Sequence, residues 1–258
     1  MINTLGPTGY LIELREARDM YRIVDINTIF GFWPLREIDI SVSRLMKLAQ
    51  QHNIENMCSL SAKGIFYDFE QGNDETLAIS KRYKEIIPVA TINLRKFCDY
   101  RKEVKKRVSQ GFKIYRLFPD FQGWSIDYAP FNEFLKILTE FNLPLIISVS
   151  GGTVTQIARM VKGHNLPIIL IGDYTMITEM ITVVKENPNL YIETHRITTP
   201  RGIETIANTV GAEQLVFGSE SPLSYAASAL GLIKSAELTS GQKELILGGN
   251  IRRILRIK

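Results

Sequence analysis

Short apolar runs rich in β-branched residues recur along the chain and alternate with segments of helical periodicity. Each run has the length of a strand, and successive runs are centred about 22 to 33 residues apart, which is typical of one strand–helix unit. The eight runs are residues 22–26, 55–60, 87–92, 113–118, 145–149, 168–171, 190–193 and 215–217.

Between the runs, apolar residues fall three and four positions apart, as they do on one face of an α-helix. Four such stripes begin at Val42, Phe131, Val154 and Ile177. Side chains that can cap a helix N-terminus indicate further helix starts. These candidate caps are Ser41, Asp74, Asp99 and Ser240.

Strands that are apolar on both faces and alternate with helices predict a parallel sheet covered by helices, and eight is the number that closes a barrel. The alternative is an open, doubly wound sheet, whose usual mark is a glycine-rich turn after the first strand. Residues 25–31 carry no such turn. We therefore predict an α/β protein with a (β/α)8 TIM barrel in one domain over residues 1–258, in which residues 1–20 precede the first strand.

Composition excludes several classes of protein. The net charge of +4 comes from scattered basic residues, and the densest run, residues 101–107, is interpreted as a solvated helix face rather than a nucleic-acid site. No apolar run reaches 18 residues, so no membrane span is expected. The chain has two cysteines without a CxxC pair and no signal-like start, which favours the cytoplasm.

Polar side chains gather at the predicted carboxyl ends of the strands, where barrels of this type carry their chemistry. They include Asp25, Asn27, Arg116, Ser148, Asp173, Glu193, His195 and Glu220. Together they predict a pocket for a small-molecule ligand, and the alternative is that they cap strands and face water. Aromatic loops at residues 31–34, 65–69 and 121–124, with Trp33 among them, line either this pocket or a homodimer interface.

Five segments resemble, in order, motifs of the amidohydrolase-related family. They are VDINTIFG (24–31), GFKIYRLFP (111–119), LPLIIS (143–148), LVFGSESP (215–222) and ILGGNIRRIL (246–255). The resemblance implies a (β/α)8 barrel and a metal-dependent hydrolase, decarboxylase or hydratase acting on a small carboxylate, lactone or amide.

The same resemblance places the family's metal ligands at Asn27, Ile29, Ser148, approximately Gly172, and Glu220. Among these, Glu220 alone keeps a side chain that binds metals well. The chain has three histidines, and His52 and His164 precede predicted strands, on the face opposite the site. Because zinc prefers three or four nitrogen or thiolate ligands, we do not expect a zinc site.

Three hypotheses remain open at this point. In the first, the protein is an enzyme without a metal cofactor, in which Asp25, Arg116, His195 and Glu220 are catalytic and Arg116 pairs with Glu220 or Asp25. Its substrate-binding residues are Asn27, Trp33, Ser148, Asp173 and Glu193. In the second, the barrel binds a small molecule without catalysis. In the third, Asp25, Glu193 and Glu220, with Asp173 and Asn27, hold magnesium or manganese through oxygen.

Overall fold

Eight parallel strands alternate with helices in the computed structural model, which describes residues 21–150, 152–172 and 174–258. Predictions for residues 1–20 and for Asp173 lie outside these ranges. The strands are β1 (Ile23–Phe30), β2 (Ile54–Ser61), β3 (Ile86–Pro88), β4 (Tyr115–Leu117), β5 (Leu145–Ser148), β6 (Ile168–Ile171), β7 (Leu190–Glu193) and β8 (Leu215–Val216). All eight predicted runs therefore overlap a strand.

The strands form a three-stranded sheet, β1-β2-β3, and a five-stranded sheet, β4 to β8 in sequence order. Backbone hydrogen bonds join the two sheets at both seams. At one seam Arg116 N donates to Ala90 O at 2.8 Å, and at the other Ile26 N donates to Phe217 O at 3.1 Å. The parallel ring closes through these bonds, which confirms the (β/α)8 barrel.

Twelve α-helices surround the strands in the described part of the chain. They are α1 (Val42–His52), α2 (Ala62–Phe66), α3 (Phe69–Arg82), α4 (Tyr100–Ser109), α5 (Pro119–Gln122), α6 (Ala129–Glu140), α7 (Thr153–Met160), α8 (Ile177–Glu186), α9 (Gly202–Val210), α10 (Ala226–Ser235), α11 (Ser240–Glu244) and α12 (Asn250–Leu255). A π-helical turn, Leu245–Gly249, precedes α12. Among these residues, no helix is both long and apolar enough to cross a membrane.

The predicted helix caps are confirmed in part. Ser41 accepts a hydrogen bond from Arg44 N, and Asp99 accepts one from Lys102 N. The prediction for Asp74 is wrong, because α3 begins after Asp68 and Asp74 lies inside the helix. The prediction for Ser240 is off by one residue, because Thr239 caps α11 and Ser240 is the first residue of that helix.

Alternate residues of the strands enter two separate apolar clusters. One cluster, the barrel interior, includes Cys58, Ile114, Ile146, Ile169 and Val216. Their strand neighbours pack between the strands and the helices, in a second cluster that includes Met57, Tyr115, Leu145, Ile168 and Leu215. Burial on both sides explains why the strands read as continuous apolar runs.

Strand β1 carries a β-bulge at the level of the polar residues. Asp25 pairs with Met57 of β2, and Thr28 pairs with Ser59, so one extra residue is accommodated on β1. Residues two apart on a regular strand share a face, and the bulge interrupts this alternation between Asp25 and Asn27. As a result, Asp25 contacts Ser219, whereas Asn27 contacts Arg116.

Candidate active site

A buried histidine stands between two carboxylates at the carboxyl end of β7. His195 Nδ1 lies 2.5 Å from Glu193 Oε2, and the backbone nitrogen of His195 donates to Glu193 Oε1 at 3.1 Å. On the other side of the ring, Nε2 lies 3.3 Å from Glu220 Oε2. In this geometry Glu193, a candidate for substrate binding, orients the His195 ring instead of facing a ligand.

The two carboxylates keep His195 in its charged form. Burial alone would lower the pKa of His195, but the charges and hydrogen bonds of Glu193 and Glu220 outweigh it and raise the pKa to about 9. Burial would raise the pKa of Glu220, but the hydrogen bond and charge of His195, with Arg196 and Arg116, lower it to about 2. At neutral pH the site therefore holds an imidazolium, which acts as a proton donor.

Arg196 forms the outer wall of this cluster and is a residue that the sequence analysis missed. Its Nη2 donates to Glu220 Oε1 at 3.4 Å, and its Nε lies 3.1 Å from His195 Nε2. In the charged ring, Nε2 carries a proton and donates it in a hydrogen bond to Glu220. In the neutral ring with an unprotonated Nε2, the same nitrogen accepts a hydrogen bond from Arg196 Nε.

Arg116 lies in the barrel interior and is 3% exposed. Its Nη1 donates to Asn27 Oδ1 at 2.7 Å. The predicted ion pair of Arg116 with Glu220 or Asp25 is wrong, because no carboxylate of the described residues lies within 4.0 Å of its guanidinium nitrogens. Burial lowers the pKa of Arg116 to about 10, against the opposing charges of Glu220, Glu193 and Asp25.

Asp25 ties the first strand to the turn after the last one. Its Oδ1 accepts hydrogen bonds from the backbone nitrogens of Asn27 and Ser219, both at 3.0 Å. Its Oδ2 is bonded to the Ser219 hydroxyl, which lies 2.7 Å from Ser221 Oγ. Because the carboxyl is fully buried and its acceptors are used within the protein, Asp25 holds the β1–β8 seam rather than facing a substrate.

The titration of Asp25 makes a testable contribution to stability. Burial raises the pKa of Asp25 to about 7, against the hydrogen bonds of Ser219 and Asn27. The folded state therefore binds a proton that the unfolded state releases near pH 4, and stability falls as the pH rises from there to 7. We expect Asp25→Asn to remove a slope of up to about 1 kcal/mol per pH unit. Urea unfolding between pH 4.5 and 6.5 measures it, and an unchanged slope would contradict the assignment.

The remaining candidate residues lie around this centre. Ser148 ends β5 and is partly exposed. Trp33 belongs to an aromatic cluster, in which its ring centroid lies 5.0 Å from Phe66 and 5.7 Å from Phe121. These residues come from three segments that follow β1, β2 and β4. The prediction of loops is wrong for two of them, because Phe66 ends α2 and Phe121 lies in α5, and Trp124, which follows α5, packs on Phe131.

A cleft of about 520 Å³ opens beside the histidine. His195, Arg196, Ser219 and Glu220 form one end of its lining, and Leu223, Ser224, Tyr225 and Ser228 are among the residues of the other. Glu220 adopts φ 57°, a left-handed conformation that is strained for a glutamate and characteristic of functional positions. A small molecule in the cleft would meet the imidazolium and Glu220.

The residues at the positions assigned to metal ligands fit a divalent metal poorly. Ile29 belongs to the apolar interior, Gly172 has no side chain, and the oxygen of the Asn27 amide is bonded to a cation. Within the described ranges, no group of three or more histidine, cysteine, aspartate or glutamate side chains is arranged to hold a metal. His52 ends α1, and His164 precedes β6 and contacts Thr139, so both lie at the amino ends of strands.

The sequence model of a known family matches residues 68–257, which is more than half of the chain. That family is described as Amidohydrolase. The chain belongs to the amidohydrolase family. The match spans β3 to β8 together with Arg116, His195 and Glu220. No curated protein matches this amidohydrolase in sequence.

Solved structures of other proteins share the fold at low sequence identity. A 2,6-dihydroxybenzoate decarboxylase from Rhizobium has a TM-score of 0.73 at 15% identity, with 92% of this chain and 99% of that chain covered. A 5-carboxyvanillate decarboxylase from Sphingomonas paucimobilis has a TM-score of 0.72 at 14% identity, with 92% and 99% covered. A dihydroxybenzoic acid decarboxylase from Polaromonas, with bound manganese, has a TM-score of 0.73 at 14% identity, with 92% and 97% covered. At these identities the likeness shows the fold.

Proposed function

We propose that this amidohydrolase acts as a hydrolase or lyase on a small carboxylate, lactone or amide, without the divalent metal implied by its family resemblance. The observation that carries the proposal is the hydrogen bond of 2.7 Å between Arg116 Nη1 and Asn27 Oδ1. A guanidinium that is charged at neutral pH is thereby bonded to the residue at the first metal-ligand position. A second cation at that point would be repelled, whereas negative charge that develops on a substrate would be stabilised.

His195 is the proton donor in this mechanism. Glu193 holds Nδ1 and fixes the ring, so Nε2–H is the proton that can be transferred. Glu220 receives that hydrogen bond in the absence of substrate and lines the cleft. When the proton moves to the substrate, the neutral ring can accept a hydrogen bond from Arg196 Nε, which stands 3.1 Å away.

The test is turnover of a panel of small carboxylates, lactones and amides by the purified protein, with and without a chelator. Activity is expected to survive the chelator and to fall about a hundredfold in His195→Asn, because the proton donor is lost. Arg201→Gln is the matched control, since Arg201 pairs with Glu237 on the surface. Activity that the chelator abolishes and magnesium or manganese restores would overturn the metal-free proposal in favour of the carboxylate-bound metal.

A barrel that binds without catalysis is the second candidate. The observation that favours it is that both ring nitrogens of His195 are already in use, because Nδ1 is bonded to Glu193 and Nε2 to Glu220. In that case the panel would give ligands that raise the melting temperature and no turnover.

Location and assembly are separate proposals. We propose the cytoplasm from the cysteine content, and a homodimer from the aromatic loops. Phe32, Tyr67 and Phe121 are exposed in segments that follow three different strands, Phe121 within α5. Because aromatic side chains are enriched in protein interfaces, we expect a dimer to bury these three residues between its two copies. Analytical ultracentrifugation is expected to give twice the monomer mass, and a monomer at high concentration would reject the dimer.

A further inference from the structure

The guanidinium of Arg116 is held at one nitrogen and against one aromatic ring. Its Nη1 donates to Asn27, and its face lies over the ring of Phe118, with 4.7 Å between Cζ and the ring centroid. Its Nε is buried and makes no hydrogen bond to the described residues. Within the described residues, the side-on edge formed by Nε–H and the adjacent Nη2–H therefore has an unused donor at Nε.

A buried cation with an unused donor edge is unfavourable unless something anionic completes it. Removing a guanidinium from water costs free energy, and an unpaired buried donor adds to that cost. The carboxylates of Glu193 and Glu220 bond to His195 instead of Arg116. The protein thus keeps one buried positive charge without a contacting counter-charge within its described residues.

We propose that the Nε and Nη2 edge of Arg116 is the subsite that binds the substrate's carboxylate, side-on, through two parallel N–H···O hydrogen bonds. The two donors of this edge match the spacing and the plane of a carboxylate's two oxygens. The inference deepens the proposed function and rests on it for the reacting centre at His195. In this arrangement Arg116 binds the substrate's carboxylate, and a different group of the substrate receives the proton from His195.

Asn27 is the positioning residue of this subsite. Its side-chain oxygen holds Nη1, and its backbone nitrogen is bonded to the buried Asp25. The amide is neutral, so it fixes the guanidinium without cancelling its charge. A carboxylate at position 27 would form an ion pair with Arg116 and compete with the substrate's carboxylate for the guanidinium. An amide at this position avoids that competition.

The experiment measures binding of propionate, with propionamide as the neutral analogue of the same shape and inorganic phosphate as a tetrahedral anion. The readout is the ¹⁵N–¹H signal of Arg116 Nε, identified by its loss in Arg116→Lys. Propionate is expected to shift this signal and slow its exchange with water, whereas propionamide leaves it unchanged. Arg116→Lys keeps the positive charge but loses the two parallel N–H donors, so propionate binding is expected to weaken about tenfold. Asn27→Asp is expected to weaken it likewise, and Arg201→Gln to bind as the unaltered protein does.

Four outcomes would overturn the subsite. They are an Arg116 signal that propionate does not move, equal responses to propionate and phosphate, undiminished binding in Arg116→Lys, and undiminished binding in Asn27→Asp. Because binding needs no turnover, the test separates this inference from the proposed function. Propionate bound at Arg116 in a protein that turns over nothing supports the subsite and counts against catalysis, whereas turnover with a silent Arg116 signal overturns the subsite alone.

Discussion

Replacing Arg107 by methionine is expected to lower the free energy of unfolding by about 3 kcal/mol. The Arg107 side chain is fully buried and joins α4 to α3. Its Nε donates to Glu103, and its Nη1 donates to Asp74 and, at 3.1 Å, to Gln110 Oε1. Without the guanidinium, the largely buried Glu103 carboxylate loses its partner, which is the costly part of the change. Urea unfolding monitored by circular dichroism measures the loss.

Arg101→Met provides the matched control, because it removes the same charge from the same helix. Arg101 pairs with Glu140, and both side chains are at least half exposed. Exposed ion pairs contribute about 0–1 kcal/mol, so the control should stay within that range. The double variant Arg107→Met with Glu103→Leu should recover most of the loss, since it leaves no buried unpaired charge, and Asp74 is more than half exposed. Equal effects of Arg101→Met and Arg107→Met would show that the buried network contributes nothing.

Arg107 also shows why the expectation of a wholly solvated basic face is wrong. The run 101–107 does form a surface helix, and Arg101, Lys102, Lys105 and Lys106 are exposed. Position 107, however, follows Tyr100, Glu103 and Val104 at helical spacing, and all four residues are buried. The local pattern contains the Glu103 partner, four residues away. It does not contain Asp74, which comes from another helix and is fixed by tertiary packing.

The barrel itself could be predicted because its signals are local. A strand buried on both faces requires a short apolar run, and the helix that covers it requires a stripe at helical spacing. Residues 168–171 and 190–193 match β6 and β7 at both ends. The run 87–92 keeps strand pairing with β2 only through Pro88, and beyond it Ala90 bridges to Tyr115 of β4. The single-domain extent over residues 1–258 stays a prediction.

The site could be predicted in its composition but not in its pairing. Spacing of two along a strand places Glu193 and His195 together, and they are bonded. The partner of Arg116 depends instead on the position of the guanidinium at the end of a long side chain. Alternation along a strand predicts which face a side chain leaves from, but not where its last atoms lie. The bulge in β1 brings Asn27 to Arg116 and leaves Asp25 at the seam. Arg196 was missed because its role arises from the turn after β7, where no periodic pattern applies.

Gly218→Ala is expected to break the Glu193–His195 pair and to lower the free energy of unfolding by about 2–3 kcal/mol. A Cβ on Gly218 would lie 2.1 Å from Glu193 Oε1 and 2.8 Å from the Cβ of Asn27. The far end of Glu193 must therefore move, and His195 loses the carboxylate that holds its ring. With burial no longer offset by Glu193, the pKa of His195 should fall from about 9.

The control is Gly231→Ala, because an added Cβ on this helical glycine meets nothing within 4 Å. It should leave the free energy of unfolding unchanged or raise it by up to about 1 kcal/mol. Glu193→Ala in the Gly218→Ala background removes the atom that clashes. The double variant should therefore lose less stability than the sum of the two single variants, and the shortfall is the coupling between Gly218 and Glu193. Additive losses, with an unchanged His195 titration by NMR in Gly218→Ala, would mean that the glycine does not position the carboxylate. Coupling together with a lowered pKa would show that the absence of a side chain at position 218 is what allows the buried glutamate to hold the histidine in its charged form.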